Sequence, residues 1–574
     1  MKTLLKNGTV VNVFTDELER ADVLLDGGRI LGVGTCYKDE DADEVYDASG
    51  KFICPGFIDG HIHIESTMMT PAELARLCVE NGTTAIMADP HEITNVCGLK
   101  GVDYILESSE NLPMTVYVMM PSCVPATALD EAGAVLLAED LEPYYDHPRV
   151  LGLAEMMNYP GLLFGDPEVW KKIRSAREKG MVINGHAPLL SGRDLDTYVA
   201  AGIGDDHETS SFEEAAERIR KGQRVMIRQG GQARNLEALL PLFEEPWNRR
   251  CLLVTDDIHA DILMERGHIN GIIRQAVKAG KNPVAAIRMA TLQAAECFRL
   301  QGVGAVAPGY AADIAVLSDL ETMTVCDVFK GGKQVVKDGR AEVFEVPAVS
   351  AELEETVRNS FHMEPLKKED FLVPGAGSKS CRVIQLVKHQ LLTDVSLEEL
   401  DLSKGSGIDL DLDILKLAVA ERHKNTGHIG LGFLHGFGLK EGALASSVAH
   451  DSHNLVILGT NEEDMAVAGN RVREMGGGCV VVKDGKVVEE LALPVAGLMS
   501  DKTAAEIAEG SAAIQEAAYK LGASKDLDPF MMMAFTALPV IPHVKLTTLG
   551  LVDVDTQQLL PLVEEPHQRF CGFS

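Results

Sequence analysis

Between residues 52 and 299, short apolar runs recur at 57–60, 84–88, 115–120, 150–154, 181–184, 202–204, 224–227 and 251–254. Runs of this length, bounded by turn signals, suit buried strands, and the segments between them read as helices. Thr70-Pro71 opens one helix that closes at Gly82, and Asp166-Pro167 opens another that closes at Gly180. Ser211 with Glu214 reads as a capping box before a helix ending at Gly222. Eight strand–helix units over about 250 residues predict an α/β fold, a TIM-type (β/α)8 barrel. A doubly wound open sheet is the runner-up, but no G-x-G-x-x-G follows the first strand.

The flanks follow another rhythm. Val23-Leu24-Leu25-Asp26-Gly27-Gly28-Arg29-Ile30-Leu31 is a hairpin signal, because both turn residues tolerate positive φ. The phrase returns at 328–335 and at 482–487. Segments 1–51 and 300–345 are expected to fold together as one small composite β-domain around the 52–299 barrel. Residues 350–574 read as a separate α+β domain, with charge and short strands over 350–405, a helix over 411–426 and a strand over 454–458.

Composition narrows the function classes. Lys+Arg of 53 against Asp+Glu of 86 gives a formal charge of −33, which disfavours nucleic acid or an anionic membrane as partner. An apolar share of 46% with 24% charged residues is ordinary for a folded soluble chain. The eleven cysteines include no C-x-x-C pair, and no apolar run reaches the roughly 18 residues of a membrane helix. A cytoplasmic location is expected.

The candidate chemistry sits where the apolar runs stop, because strand C-termini face the active-site mouth of such a barrel. The first run ends in Asp59-Gly60-His61-Ile62-His63, whose two imidazoles point to one side of an extended segment. Later runs end at Glu155, His186, His207 and Thr255-Asp256-Asp257. Any one of these is unremarkable; the whole series at strand ends points to a metal site. Four histidines and two carboxylates exceed what one catalytic zinc uses and suit two divalent ions bridged by Glu155. Asp256 is then placed to carry a proton to a leaving group.

The His61-Ile62-His63 motif after Pro55-Gly56-Phe57-Ile58-Asp59-Gly60, the later strand-end ligands and the split β-domain resemble the amidohydrolase superfamily. Gly60–Met69, Ala88-Asp89-Pro90-His91-Glu92-Ile93, Gly152–Gly161, Asn184-Gly185-His186-Ala187-Pro188 and Val448–Asn454 narrow the resemblance to the bacterial adenine deaminases, over nearly the whole chain. The resemblance implies hydrolysis of adenine to hypoxanthine and ammonia by a metal-bound hydroxide in purine salvage, with manganese the first choice and iron or zinc as alternatives. It implies His61, His63, Glu155, His186, His207 and Asp256 as ligands, and a homodimer as the assembly. His91 and Glu92, at the end of the second strand, are the polar groups placed to act on the purine ring, with helix capping the plain alternative for Glu92.

The stretch Arg228-Gln229-Gly230-Gly231 departs from the Arg-Glu-Gly-Ser expected in that family, which puts the exact substrate in question. Arg228 either contacts the ring or pairs with an acid. His423, His428, His435, His450 and His453 read as surface or loop histidines, although the resemblance implies that the segment holding His453 helps close the substrate pocket. His63-Ile64-Glu65 matches half of the other zinc deaminase signature, and no P-C-x-x-C half exists. The competing activities are an amidohydrolase acting on another aminopurine, a cyclic amide or an N-acyl group, and a catalytically silent assembly subunit. None of the six ligand positions is lost, which disfavours the last.

Overall fold

A computed structural model describes residues 2–231, 233–387 and 392–564. Its central strands are β1 (Phe57–Ile62), β2 (Thr83–Ala88), β3 (Thr115–Met120), β4 (Val150–Met156), β5 (Val182–Gly185), β6 (Asp205–Asp206), β7 (Arg224–Arg228) and β8 (Cys251–Val254). β1 to β5 pair in chain order in one parallel sheet, and β6 to β8 in a second. Single backbone bonds join the sheets at both edges. The Gly204 N–H donates to the Ile183 carbonyl at 3.0 Å, and the Asp256 N–H donates to that of His61 at 2.9 Å. This curled parallel arrangement fits a TIM-like domain.

Both faces of these strands are covered, which is why they read as continuous apolar runs. Ala85 and Met87 of β2 pack with Ile58, Met119, Ala154 and Leu252, whereas Ile86 and Ala88 join the cluster built with the surrounding helices. The weak run at 202–204 is not itself a strand: Gly202 adopts a φ of 111°, and pairing begins only at Asp205. Asp166 caps Pro167–Glu178 by accepting from the N–H groups of Glu168 and Val169. The predicted capping box at Ser211 forms only by half. Ser211 Oγ accepts the Glu214 N–H, but the Glu214 carboxylate takes the N–H groups of Ser210 and Leu189.

Segments 1–51 and 300–345 share one seven-stranded sheet with Phe52–Pro55, in which Ile314–Leu317 pairs with Phe52–Pro55 and that strand with Thr9–Asn12. The Asp26-Gly27-Gly28-Arg29 turn lies against the matching turn at Gly331-Gly332. Ala312 links them, donating its N–H to Gly28 and accepting that of Gly332, each at 2.9 Å. Positive φ at Gly28 (86°) and Gly332 (77°) permits this close approach.

An eight-stranded sheet runs from Thr393–Asp401 at one edge to Lys486–Ala492 at the other. One expectation fails here. Residues 411–426 are not helical: Ile414–Ala420 is a central strand of this sheet. Leu415, Leu417 and Val419 face one helical layer and Ala418 and Ala420 the other, so the strand is buried on both faces and its apolar run lacks a period of two. The strands expected over 350–405 are Ser378–Leu386 and Thr393–Asp401, but the stretch opens with a helix, Ala351–Arg358, whose buried stripe is Leu353 and Val357. Leu417→Ala is expected to destabilise the protein by about 2–5 kcal/mol through the cavity it leaves, seen as a lower chemical-unfolding midpoint. Among the described residues, no helix is long and apolar enough to cross a membrane.

Candidate metal centre

The strand ends gather at one rim, and a buried acid sets their register. Asp59 Oδ1 accepts the N–H groups of His61 (3.2 Å) and Thr255 (3.1 Å), which ties the end of β1 to the end of β8. Asp256 then adopts a left-handed φ of 62°, a strained conformation for a non-glycine residue, and its carboxylate meets both β1 histidines. Asp256 Oδ1 lies 3.1 Å from His63 Nε2 and 3.5 Å from His61 Nε2.

Glu155, at the end of β4, stands between the two halves. Its Oε1 lies 3.4 Å from His63 Nε2, and its Oε2 lies 3.1 Å from His207 Nε2 and 2.5 Å from His186 Nδ1. All six strand-end residues named from the sequence therefore converge. Burial alone would raise both acids, but the His186 and His207 imidazoles hold Glu155 ionised, and the Arg228 guanidinium holds Asp256 well below the usual carboxylate range.

The donor set fits divalent cations. His63 Nδ1–H donates to the Asp89 carbonyl at 3.0 Å, which leaves the Nε2 lone pair facing Glu155 and Asp256. His61 Nε2 is buried without a hydrogen-bond partner. The sets His61/His63/Asp256 and His61/Glu155/His207 each bring ligand atoms within 4.8 Å of one another.

Around this centre lies a cavity of about 470 Å³, within the range of small-molecule sites. Its lining combines the polar rim with apolar side chains, among them Phe535, Leu538, Val540 and Ile541. His91 and Glu92 face it; His91 Nδ1 is 3.5 Å from Glu155 Oε1. Capping is not the role of the Glu92 side chain, which meets Ser66 Oγ at 3.2 Å and His450 Nδ1 at 3.0 Å.

Several sequence readings change. Arg228 pairs with acids: it meets Asp256 Oδ2 at 2.5 Å and also binds the carboxylate of Glu208, so it orients Asp256 instead of standing free for a ring. Gln229 turns away to Gln275 (3.0 Å), and Gly231 lies against the Asp257 carbonyl; neither residue lines the cavity. His423, His450 and His453 are buried, not surface histidines. His453 is fully buried and outside the cavity lining; His450 occupies the lining position instead. The reason is Arg422, itself fully buried, which donates to the carbonyls of His453 (2.5 Å), Ser360 (3.2 Å) and Ala496 (3.0 Å) and draws the 449–454 loop inward.

Four residues near the centre had no site role in the sequence reading. Glu208 had a signal, as the neighbour of His207, and lies 3.5 Å from that ring. Asp89 sat inside a quoted motif and is 3.4 Å from His91 Nδ1. His450 and Asp451 also sat inside a quoted motif, but their partners Glu92 and His91 belong to a distant part of the chain, so no local pattern gave their role; Asp451 Oδ1 is 3.8 Å from His91 Nε2.

A TIM-like domain with imidazoles and carboxylates at its strand ends has the organisation of an amidohydrolase, and residues 52–335 match the amidohydrolase family. Residues 390–558 match the adenine deaminase C-terminal domain. Adenine deaminase 2 of Carboxydothermus hydrogenoformans is 46% identical over 560 residues, covering 97% of this chain and 96% of that protein. The adenine deaminase of Desulfatibacillum aliphaticivorans is 44% identical, covering 98% and 97%. Among solved structures, a β-aspartyl dipeptidase from Fervidobacterium islandicum AW-1 aligns with 60% of this chain and 99% of its own, at 16% identity and a TM-score of 0.47. The chain belongs to the adenine deaminase family.

Proposed function

We infer that the chain deaminates adenine hydrolytically, yielding hypoxanthine and ammonia, over two divalent cations held by His61, His63, Glu155, His186, His207 and Asp256. The convergence of these six side chains about Glu155 carries the reading. We further propose that the two parallel sheets close into one (β/α)8 barrel over 52–299, supported by the backbone bonds at both edges. In this reading 1–51 with 300–345 is the composite β-domain and 350–574 the α+β domain. Imidazole and carboxylate donors accept manganese, iron and zinc; manganese is our assignment, and a homodimer our assembly. When bound, the cations would supply Lewis-acid activation of water at neutral pH.

The chain's own groups do the rest. Asp256, clamped through Oδ2 by Arg228, takes a proton from the attacking water and returns it to the exocyclic amine, which must leave as ammonia. His91 and Glu92 face the ring from the second strand's end, and Phe535, Leu538, Val540 and Ile541 offer it apolar contact. The test is substrate turnover by purified protein loaded with two equivalents of metal. Adenine should give hypoxanthine and stoichiometric ammonia. Faster hydrolysis of a cyclic or N-acyl amide would overturn the substrate assignment and leave the metal centre standing.

A further inference from the structure

His450, with Asp257 and Met531, lines two cavities: the one around the metal centre and a smaller, largely apolar one of about 50 Å³ whose polar lining includes His259, Gln515 and Asp528. At that size it holds a few waters. The His450 ring stacks on Phe535, with centroids 5.0 Å apart and planes 16° apart, while its Nδ1 faces Glu92 Oε1 at 3.0 Å.

Glu92, His450 and His453 also lie close enough to suggest a third cation site, but the tautomer excludes it. His453 Nδ1 accepts the Ala449 N–H at 3.1 Å, so in the neutral ring the proton sits on Nε2, which points at Glu92 Oε2 from 3.8 Å. A protonated ring nitrogen offers no lone pair to a metal. What remains is a carboxylate that orients an imidazole and stabilises its charged form, as the acid does in a catalytic triad. The groups facing His450 are mostly acidic. Burial opposes its charge, but Glu92, then Asp257 and Asp451, raise its imidazole to about 9, so it keeps its proton at neutral pH.

We propose that the Glu92–His450 pair is the proton donor to the purine ring, His450 Nε2–H delivering to N1 and the smaller cavity resupplying it from solvent. This rests on the adenine reading above. Water attack forms the C6–O bond while the C6=N1 π pair takes the His450 proton, breaking N–H and forming N1–H. The water's first proton passes through Asp256 to the amine as C6–N6 breaks. Its second leaves the C6 hydroxyl for solvent as C6=O forms, and solvent returns one proton to His450, so the sum is adenine plus water to hypoxanthine plus ammonia.

The experiment compares wild type, His450→Gln and His450→Ala, each assayed for ammonia, metal content and melting temperature. His450→Gln keeps a hydrogen bond to Glu92 but has no transferable proton, so kcat should fall about 10²–10⁴-fold with KM changed only a few-fold and the metal content unchanged. Added imidazole should restore at least tenfold activity to His450→Ala. A His450→Gln kcat within threefold of wild type overturns the proposal, as does a loss confined to KM. If His450→Ala fails to fold, His450→Gln decides alone. Absence of adenine turnover in the wild type would instead defeat the functional reading on which the proposal stands.

Discussion

Asp256→Asn is expected to reduce ammonia release from adenine by about 10³–10⁴-fold without unfolding the protein. The amide has nearly the volume of the carboxylate, and Arg228 keeps Glu208 as a partner. The backbone contact that anchors the residue, from its N–H to the His61 carbonyl at 2.9 Å, does not involve the side chain. What disappears is the proton-accepting oxygen 3.1 Å from His63. Melting temperature should therefore move by a few degrees at most while kcat collapses. Turnover within tenfold of wild type would remove Asp256 from proton transfer.

Glu155→Ala should act through the metals. This carboxylate lies within 3.5 Å of all four of His63, His91, His186 and His207. Without it, the buried imidazoles lose the charge that complements a cation from both sides. Stoichiometry by elemental analysis should drop from two ions to one or none, with activity lost. A ligand at a thousand times its Kd stabilises the folded state by about 4 kcal/mol, so metal added to chelated wild type should raise its melting temperature markedly. The same addition should barely move Glu155→Ala. Two tightly held ions in that variant would show that the bridge lies elsewhere.

The legibility of this site has a clear boundary. His61, His63, Glu155, His186, His207 and Asp256 could be read because each closes an apolar run, and parallel strands bring their C-termini to one rim. The same rule says nothing about direction. Arg228 ends β7 just as those six residues end their strands, yet its guanidinium turns to Glu208 and Asp256, a choice made by two neighbouring carboxylates. The strand Ile414–Ala420 shows a comparable limit, since a segment covered on both faces loses the alternation that separates strand from helix.

The order of residues along the chain, by itself, determined the strand–helix alternation, the hairpins at Gly28 and Gly332, and which six side chains stand at the strand ends, because each depends on local periodicity or on a rule that applies to every strand alike. Only tertiary structure decided that His450 lines the cavity while His453 is sealed behind it, that Asp451 approaches His91, and that Gln229 turns away. Those contacts arise when the eight-stranded sheet docks on the rim and Arg422 draws the 449–454 loop inward. A side chain's partners across such a junction follow from packing between distant segments, which no local pattern encodes.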